Sequence, residues 1–445
     1  MRRSVIVLLV FIAAMALAMP AHADEITIIS GATELQGALV AMQTNDLPLV
    51  AYVTTDSNGS SGIWLVDCPN AACTGATPRE VTTGTRILFG EMVIDSNNRP
   101  IIFYYELSQF FGGTSFAKLL ICDSPTCNSP ITRTIQEAGT NEGNYYSLEL
   151  LLVNDLPVVG YQVNIVSNQT YRVEFCQEVT CATRTSITQA LPSDTATIDF
   201  ALDIRTSNGL PVISHYQQGG SEDRLRTARC NTTQCNNPTV FTIAGVTGYF
   251  LDMHLTAGDA PVILFNDDTG TDANPVGTYL YTCPGQACNE GNIIKTTLNS
   301  DDASYMGFVF DSSANPSIFY TLDDTDLVVE LCFDAICTRR YTTSSIASAA
   351  VASGPAISES GSIYVTYTDV QNASNVSIVL TRITPDFDVN DDDAVTPADA
   401  LYVINRFGGH VPGNEAADVN FDGVIDAADA EAVIANIGRR TGTGD

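Results

Sequence analysis

The sequence predicts an all-β, seven-bladed propeller followed by a small all-α module, and three observations carry that expectation. A unit of about 50 residues recurs six times. Each copy is marked by a proline at Pro48, Pro100, Pro157, Pro211, Pro261 or Pro316, and by one C-x4-C pair. The pairs are Cys68 with Cys73, Cys122 with Cys127, Cys176 with Cys181, Cys230 with Cys235, Cys283 with Cys288, and Cys332 with Cys337, which use all 12 cysteines. Successive first cysteines stand 54, 54, 54, 53 and 49 residues apart. From residue 386 on this pattern stops, acidic residues cluster, and helical spacing appears.

Each unit reads as four short strands. The first is an apolar run such as Ile87–Ile94, closed by a turn cluster such as Asp95-Ser96-Asn97-Asn98. The second starts at the proline, as in Pro157-Val158-Val159-Gly160-Tyr161, and the third ends on the first cysteine, as in Ile63–Cys68. The fourth follows the second cysteine, as in Val240–Ile243. Four strands joined by hairpin turns form a propeller blade, and helical periodicity is absent from this region.

Cysteines five apart flank a four-residue hairpin loop and face each other across an antiparallel ladder. Their Cα atoms then lie roughly 4.5 to 5.5 Å apart, within reach of a disulfide. Each pair is expected to staple the third strand of its blade to the fourth. The alternative, zinc, needs four convergent ligands, whereas these pairs sit on separate blades.

After the sixth unit comes a seventh without cysteines: Ala349 to Ser358, Ser362 to Tyr367 and Val376 to Thr381. It supplies three strands. The missing fourth matches Glu25-Ile26-Thr27-Ile28-Ile29-Ser30 near the start of the chain. If that segment completes the last blade, hydrogen bonds between the two ends clasp the ring and no sheet edge stays open. A six-bladed ring with residues 347–384 as an appendage is the alternative.

Arg2-Arg3, the apolar run Val5 to Ala18 and the A-x-A site Ala21-His22-Ala23 read as a signal peptide over residues 1–23. Export agrees with paired cysteines, since disulfides persist in oxidising compartments, and places the protein outside the cell or on its surface. The expected domains are then the propeller at 24–384, the module at 386–438 and a tail at 439–445. No later apolar run approaches the ~20 residues of a membrane span. With 20 basic against 51 acidic residues the net charge is −31, which repels nucleic acid and anionic lipid. Few histidines argue against histidine-based catalysis.

Two columns recur within the units. Four residues after the proline stand Tyr52, Tyr104, Tyr161, His215, Phe265 and Tyr320, best explained as packing between blades. On the innermost strand stand Glu91, Glu149, Asp203 and Asp252, with Gly37 and Gly307 in other blades. Carboxylates converging on a channel raise one another's pKa or hold a cation; alternatively each accepts backbone N–H groups from the next blade. The S-x-D-x-G-x-T-W box of sialidase-type propellers and the Gly-His and Trp-Asp signatures of WD40 blades are missing. The repeat is similar to that of uncharacterised exported bacterial proteins with a P-V-I-x-Y strand before a cysteine pair. That resemblance covers residues 31–346 and implies no activity.

The module holds two twelve-residue loops in EF-hand order, thirty residues apart. The first offers Asp388, Asn390, Asp392, the carbonyl of Ala394, Thr396 through water, and Asp399; the second offers Asp418, Asn420, Asp422, the carbonyl of Val424, Asp426 and Asp429. Calcium, two ions, is the expected cofactor. A helix follows each loop and is stopped by glycine. A duplicated loop–helix with Asp at position 12 resembles a type I dockerin, a family whose module folds on two calcium ions and plugs into a cohesin domain. The partner-reading positions 10 and 11 are Pro397-Ala398 and Ala427-Ala428, so the halves differ, and Asp393 replaces the glycine at position 6.

These readings point to an exported binding or recognition protein, with an extracellular glycan or protein ligand on the ring and a cohesin-like partner for the module. The alternatives are a polysaccharide-degrading enzyme, a glycoside hydrolase or lyase, and a purely architectural surface protein. No catalytic residue and no organic cofactor is assigned.

Overall fold

The computed structural model describes residues 22–384 apart from short stretches at 33–34, 57–58, 108–113, 139–147, 166–167, 191–195, 219–223, 233–234, 236–237, 245–247, 268–275, 287, 289–291, 301–302, 312, 323–325, 333, 339, 343–348, 353, 359–361 and 373–374. Farther along it describes 397–408, 417, 419, 425 and 427–435. His22–Pro385 form one compact unit, and Asp386–Asp445 belong to another.

The first unit is a ring of seven antiparallel sheets, so the six-bladed alternative falls. Blade 2 shows the pattern: strands Ile87–Ile94, Pro100–Leu107, Ser115–Ile121 and Ile131–Ala138 pair in sequence order. Blades 1, 3, 4, 5 and 6 repeat it, starting from Leu35–Met42, Leu148–Val153, Ala196–Ile204, Gly248–Leu255 and Ala303–Phe310. These first strands touch their counterparts in the neighbouring blades, which makes them the innermost. The cores lie between sheets. Phe103 and Leu119 of blade 2 pack with Leu150 and Tyr161 of blade 3, and Tyr52 of blade 1 packs with Tyr364 and Leu380 of blade 7. A lone blade would leave such a face wet, which is why the unit repeats.

Blade 7 closes the circle as expected. Its outer strand is His22–Ala32, antiparallel to Asn375–Thr384, with Ile26 opposite Leu380 and Thr27 opposite Val379. The pairing begins at His22, two residues ahead of the expected mature start at Asp24. The segment read as one first strand from Ala349 is two short ones, Ala349–Ala352 and Ala356–Ile357, both paired with Ile363–Asn372.

Two features explain the fixed spacing within a unit. The proline carbonyl of blades 1, 2, 4 and 5 accepts the N–H of that blade's first cysteine, at 3.0 to 3.3 Å, so the two markers are bonded neighbours. Two residues before the proline, the turn passes through the left-handed region at Asp46, Asn98, Asp155, Gly209, Asp259 and Ala314. Asn and Asp tolerate that conformation and bring a polar side chain to it. Thr44 N donates to Asn98 Oδ1 at 2.7 Å, Ser96 to both oxygens of Asp155, and Thr206 N to Asp259 Oδ1 at 2.8 Å. Each bond ties a blade to the next.

In the second unit, helices α1 (Pro397–Ile404) and α2 (Ala427–Ala435) share a core of Ala400, Val403, Ala417, Val419, Ile425, Ala430 and Val433. Ala400 and Ala430 are thirty residues apart, as are Val403 and Val433, so the duplication in sequence is a duplication in packing. Gly408, in a left-handed conformation past α1, donates its N–H to Ile425 O at 2.9 Å.

Candidate functional site

All six C-x4-C pairs are disulfides, as the spacing predicts. Cys68 is bonded to Cys73, Cys122 to Cys127, Cys176 to Cys181, Cys230 to Cys235, Cys283 to Cys288, and Cys332 to Cys337, with Cα atoms 4.4 to 5.2 Å apart. The cysteines of a pair do not face each other across a regular ladder, however. Cys73, Cys127, Cys181, Cys235 and Cys337 are left-handed, and the N–H of each returns to the carbonyl three residues earlier, at Asn70, Ser124, Glu178, Thr232 and Asp334. That tight turn brings the second cysteine under the first before the fourth strand begins, and Cys288 closes the widest of the six pairs, 5.2 Å between Cα atoms.

The stapled loop also serves the neighbouring blade. Arg79 Nη1 of blade 1 donates to Thr126 O at 2.7 Å, Arg133 Nε of blade 2 to Thr180 O at 3.2 Å, and Thr296 Oγ1 of blade 5 to Ile336 O at 2.6 Å. Each acceptor is the residue before a second cysteine, so the bridges hold the rim contacts between blades in place.

The inner-strand carboxylates do not form the single column expected. Glu91, Glu149, Asp252 and Gly307 each pair with the third residue after the proline, but Asp203 pairs with Val212, directly after it. The matching position of blade 4 is Ala201, opposite Ser214, and that of blade 1 is Leu39, not Gly37. Turn length causes the slip in blade 4: Ile204 faces Pro211 across six residues, whereas Leu152 faces Pro157 across four. On the row of Asp203 stands His254, which sequence reading left unassigned. Its Nδ1 lies 4.0 Å from Asp203 Oδ2 and its Nε2 3.7 Å from Asp252 Oδ1.

Three of these carboxylates accept backbone N–H groups of the following blade. Leu150 donates to Glu91 Oε2, Leu255 to Asp203 Oδ2 at 2.7 Å, and Phe308 to Asp252 Oδ2 at 2.9 Å. A Cβ at Gly307 would strike the Phe319 ring at 2.6 Å and stand 3.3 Å from Asp252 Oδ2, so the glycine first of all makes room for Phe319. Burial pushes the Glu91 carboxyl up to about 8; the Leu150 N–H opposes this, and the charges of Asp252 and Asp203 add to it. Burial likewise raises Asp203, against His254 and its two N–H donors. Among the described residues no three His, Cys, Asp or Glu are grouped to hold a metal.

The aromatic column packs between blades and also carries hydrogen bonds. Tyr161 Oη donates to Glu174 Oε1 at 3.0 Å and Tyr320 Oη to Glu330 Oε1 at 2.7 Å, each glutamate two residues before its blade's first cysteine. That glutamate recurs in blades 3 and 6 and was the available signal. His215 occupies the same slot and is buried.

Of the proposed calcium ligands, Asp388, Asn390, Asp392, Ala394, Thr396, Asp418, Asn420, Asp422, Val424 and Asp426 lie outside the described residues. Asp399 falls in the first turn of α1, and Asp429 in that of α2, where it is fully buried. A carboxylate enclosed in so small a core suits a site that places a cation beside it. Among the described residues no helix is long and apolar enough to cross a membrane.

None of the curated proteins compared with it matches the chain. The fold is similar to a protein of unknown function from Dyadobacter fermentans, with TM-score 0.50 and 10% identity over 81% of this chain and 97% of that one. An intramolecular trans-sialidase from Ruminococcus gnavus gives 0.41 and 8% over 80% and 95%, and an α-L-arabinanase from Penicillium chrysogenum 0.47 and 9% over 80% and 97%. At these identities the likeness concerns the fold alone. Residues 386–438 match the dockerin type I domain, a family that binds calcium and typically cohesin. The chain is thus a seven-bladed, disulfide-stapled β-propeller followed by a dockerin type I domain.

Proposed function

We propose that this is an exported binding protein whose propeller recognises an extracellular ligand while its dockerin domain attaches it to a cohesin partner in a calcium-dependent way. The family match over residues 386–438 is the observation that carries this reading. Two loops in EF-hand order offer oxygen ligands to two ions, one held by Asp388, Asn390, Asp392, Ala394, Thr396 and Asp399, the other by Asp418, Asn420, Asp422, Val424, Asp426 and Asp429. The bound ions supply charge neutralisation at the start of α1 and α2; the residues that follow, Val403 and Val433, supply the core.

Export is supported by the leader-like residues 1–23 and by six disulfides, which persist only in oxidising surroundings. The mature chain then runs from Asp24 through the propeller to residue 384, the domain at 386–438 and the tail at 439–445. The inner carboxylates give little support to glycan cleavage, because Glu91, Asp203 and Asp252 hold neighbouring blades together.

Calorimetric titration of the chelator-stripped mature protein with calcium, followed by cohesin capture with and without chelator, tests the reading. Two ions per chain and calcium-dependent capture are expected. Capture that persists in chelator, or a calcium-loaded protein that binds no member of a cohesin panel, overturns it.

A further inference from the structure

Blades 3 and 4 hold six of the chain's 20 basic residues: Arg172, Arg184, Arg205, Arg224, Arg226 and Arg229. Most have clear partners. Arg172 Nη1 donates to Gln136 Oε1, Arg184 Nη2 to Ile135 O at 2.8 Å, Arg205 Nη2 to Cys230 O, and Arg229 to Gln286 at 2.7 and 2.9 Å. Arg226 is different. Its Nε is buried without a hydrogen-bond partner among the described residues, as are those of Arg172, Arg205 and Arg229, but its terminal nitrogens also make no bond there, and the charge that acts on it is the like charge of Arg224, two residues along the same face of the strand. Arg226 as a whole is half-buried.

Directly across the ladder from Arg226 stands His215. It is 4% exposed, and its Nδ1 also lacks a partner among the described residues. Burial, and then Arg226, push the imidazole down to about 4, so it is neutral at pH 7. Tyr171 of blade 3 packs on it at 6.0 Å between ring centres. The seam between blades 3 and 4 therefore holds a cation and a neutral imidazole side by side, each with an unmet polar atom. Unmet buried polar atoms are costly, and this chain carries 51 acidic residues that could have met the cation.

We propose that Arg226 and His215 form a binding site for a small carboxylate-bearing ligand at the seam of blades 3 and 4. The guanidinium fork matches a planar carboxylate, and the neutral imidazole adds one N–H donor or one acceptor. Arg224 strengthens the local positive potential on a surface that otherwise repels anions. The proposal rests on the propeller being the recognition part, but not on calcium or cohesin.

Calorimetric titration of the full mature chain with D-galacturonate, L-glutamate and, as neutral control, D-galactose tests it. Saturable binding of at least one acid, weakened by salt, with none of galactose, is expected; which acid binds separates a saccharide source from an amino-acid source. Arg226→Gln should weaken that binding by about tenfold or more at unchanged melting temperature. His215→Phe should do likewise and keep the fold, because that slot is Phe265 in blade 5. Binding of neither acid, equal binding of galactose, or full affinity in Arg226→Gln overturns the proposal. Calcium-dependent cohesin capture in the same preparation shows that the broader reading survives such a result.

Discussion

The hydroxyl of Tyr367 donates to Glu25 Oε1 at 3.1 Å, joining residues 342 positions apart in the chain. Tyr367 is enclosed in blade 7, and Glu25 sits on the outer strand that the start of the chain supplies. The bond is the side-chain part of the clasp that closes the ring.

Tyr367→Phe should therefore lower stability by about 1 kcal/mol, the net value of one such bond, in a denaturant titration. Removing residues 24–30 should do far more: it bares the edge of Asn375–Thr384 and leaves blade 7 incomplete. We expect a large drop in melting temperature together with concentration-dependent association by light scattering.

Each six-residue disulfide ring contributes about 2 kcal/mol by the chain-entropy argument. Replacing Cys122 and Cys127 by alanine should exceed that value, because the loop they close also receives Arg79 from blade 1. Comparing this double variant with Arg79→Ala and with the triple variant measures the coupling; strict additivity would show that the bridge and the arginine act independently.

The pH dependence follows from Glu91. Its carboxyl titrates near 4.5 when unfolded and near 8 in the ring, so the folded state holds the extra proton between those values. The stability it contributes is fully present below 4.5 and is lost as pH rises through about 8. The ring should melt several degrees lower at about pH 9 than at about pH 5, and Glu91→Gln should flatten that slope. Asp155, held below its ordinary value by hydrogen bonds from Ser96, acts only below this window.

Chelation should unfold the dockerin domain and spare the propeller. Trp64, the single tryptophan, lies in blade 1 stacked on Tyr52, with its Nε1 bonded to Thr54 Oγ1 at 3.0 Å, so its emission reports on the ring alone. Adding chelator should remove helical circular dichroism at constant Trp64 emission. Asp429→Asn should weaken calcium affinity by about tenfold or more, measured by titration.

Much of this architecture is legible in the sequence. The cysteine spacing specified the six disulfides, though not the left-handed turn that closes each loop, and the unmatched strand at Glu25–Ser30 specified how the ring closes. The dockerin domain was legible because its ligand order leaves few alternatives. The hub was not. Counting residues from the proline placed Asp203 beside Glu149, and only the differing turns of blades 3 and 4 reveal that it sits beside His254 instead. The ties at Asn98, Asp155 and Asp259 are not legible there either, since an Asx residue in a turn reads as local and its reach to the preceding blade depends on ring curvature.

The strand Asn375–Thr384 leads directly into the dockerin domain, and it is hydrogen-bonded along both sides, by Ile363–Asn372 and by His22–Ala32. A pull on the C-terminal end of that strand is therefore borne by two ladders at once. Without the N-terminal clasp one ladder alone would resist it.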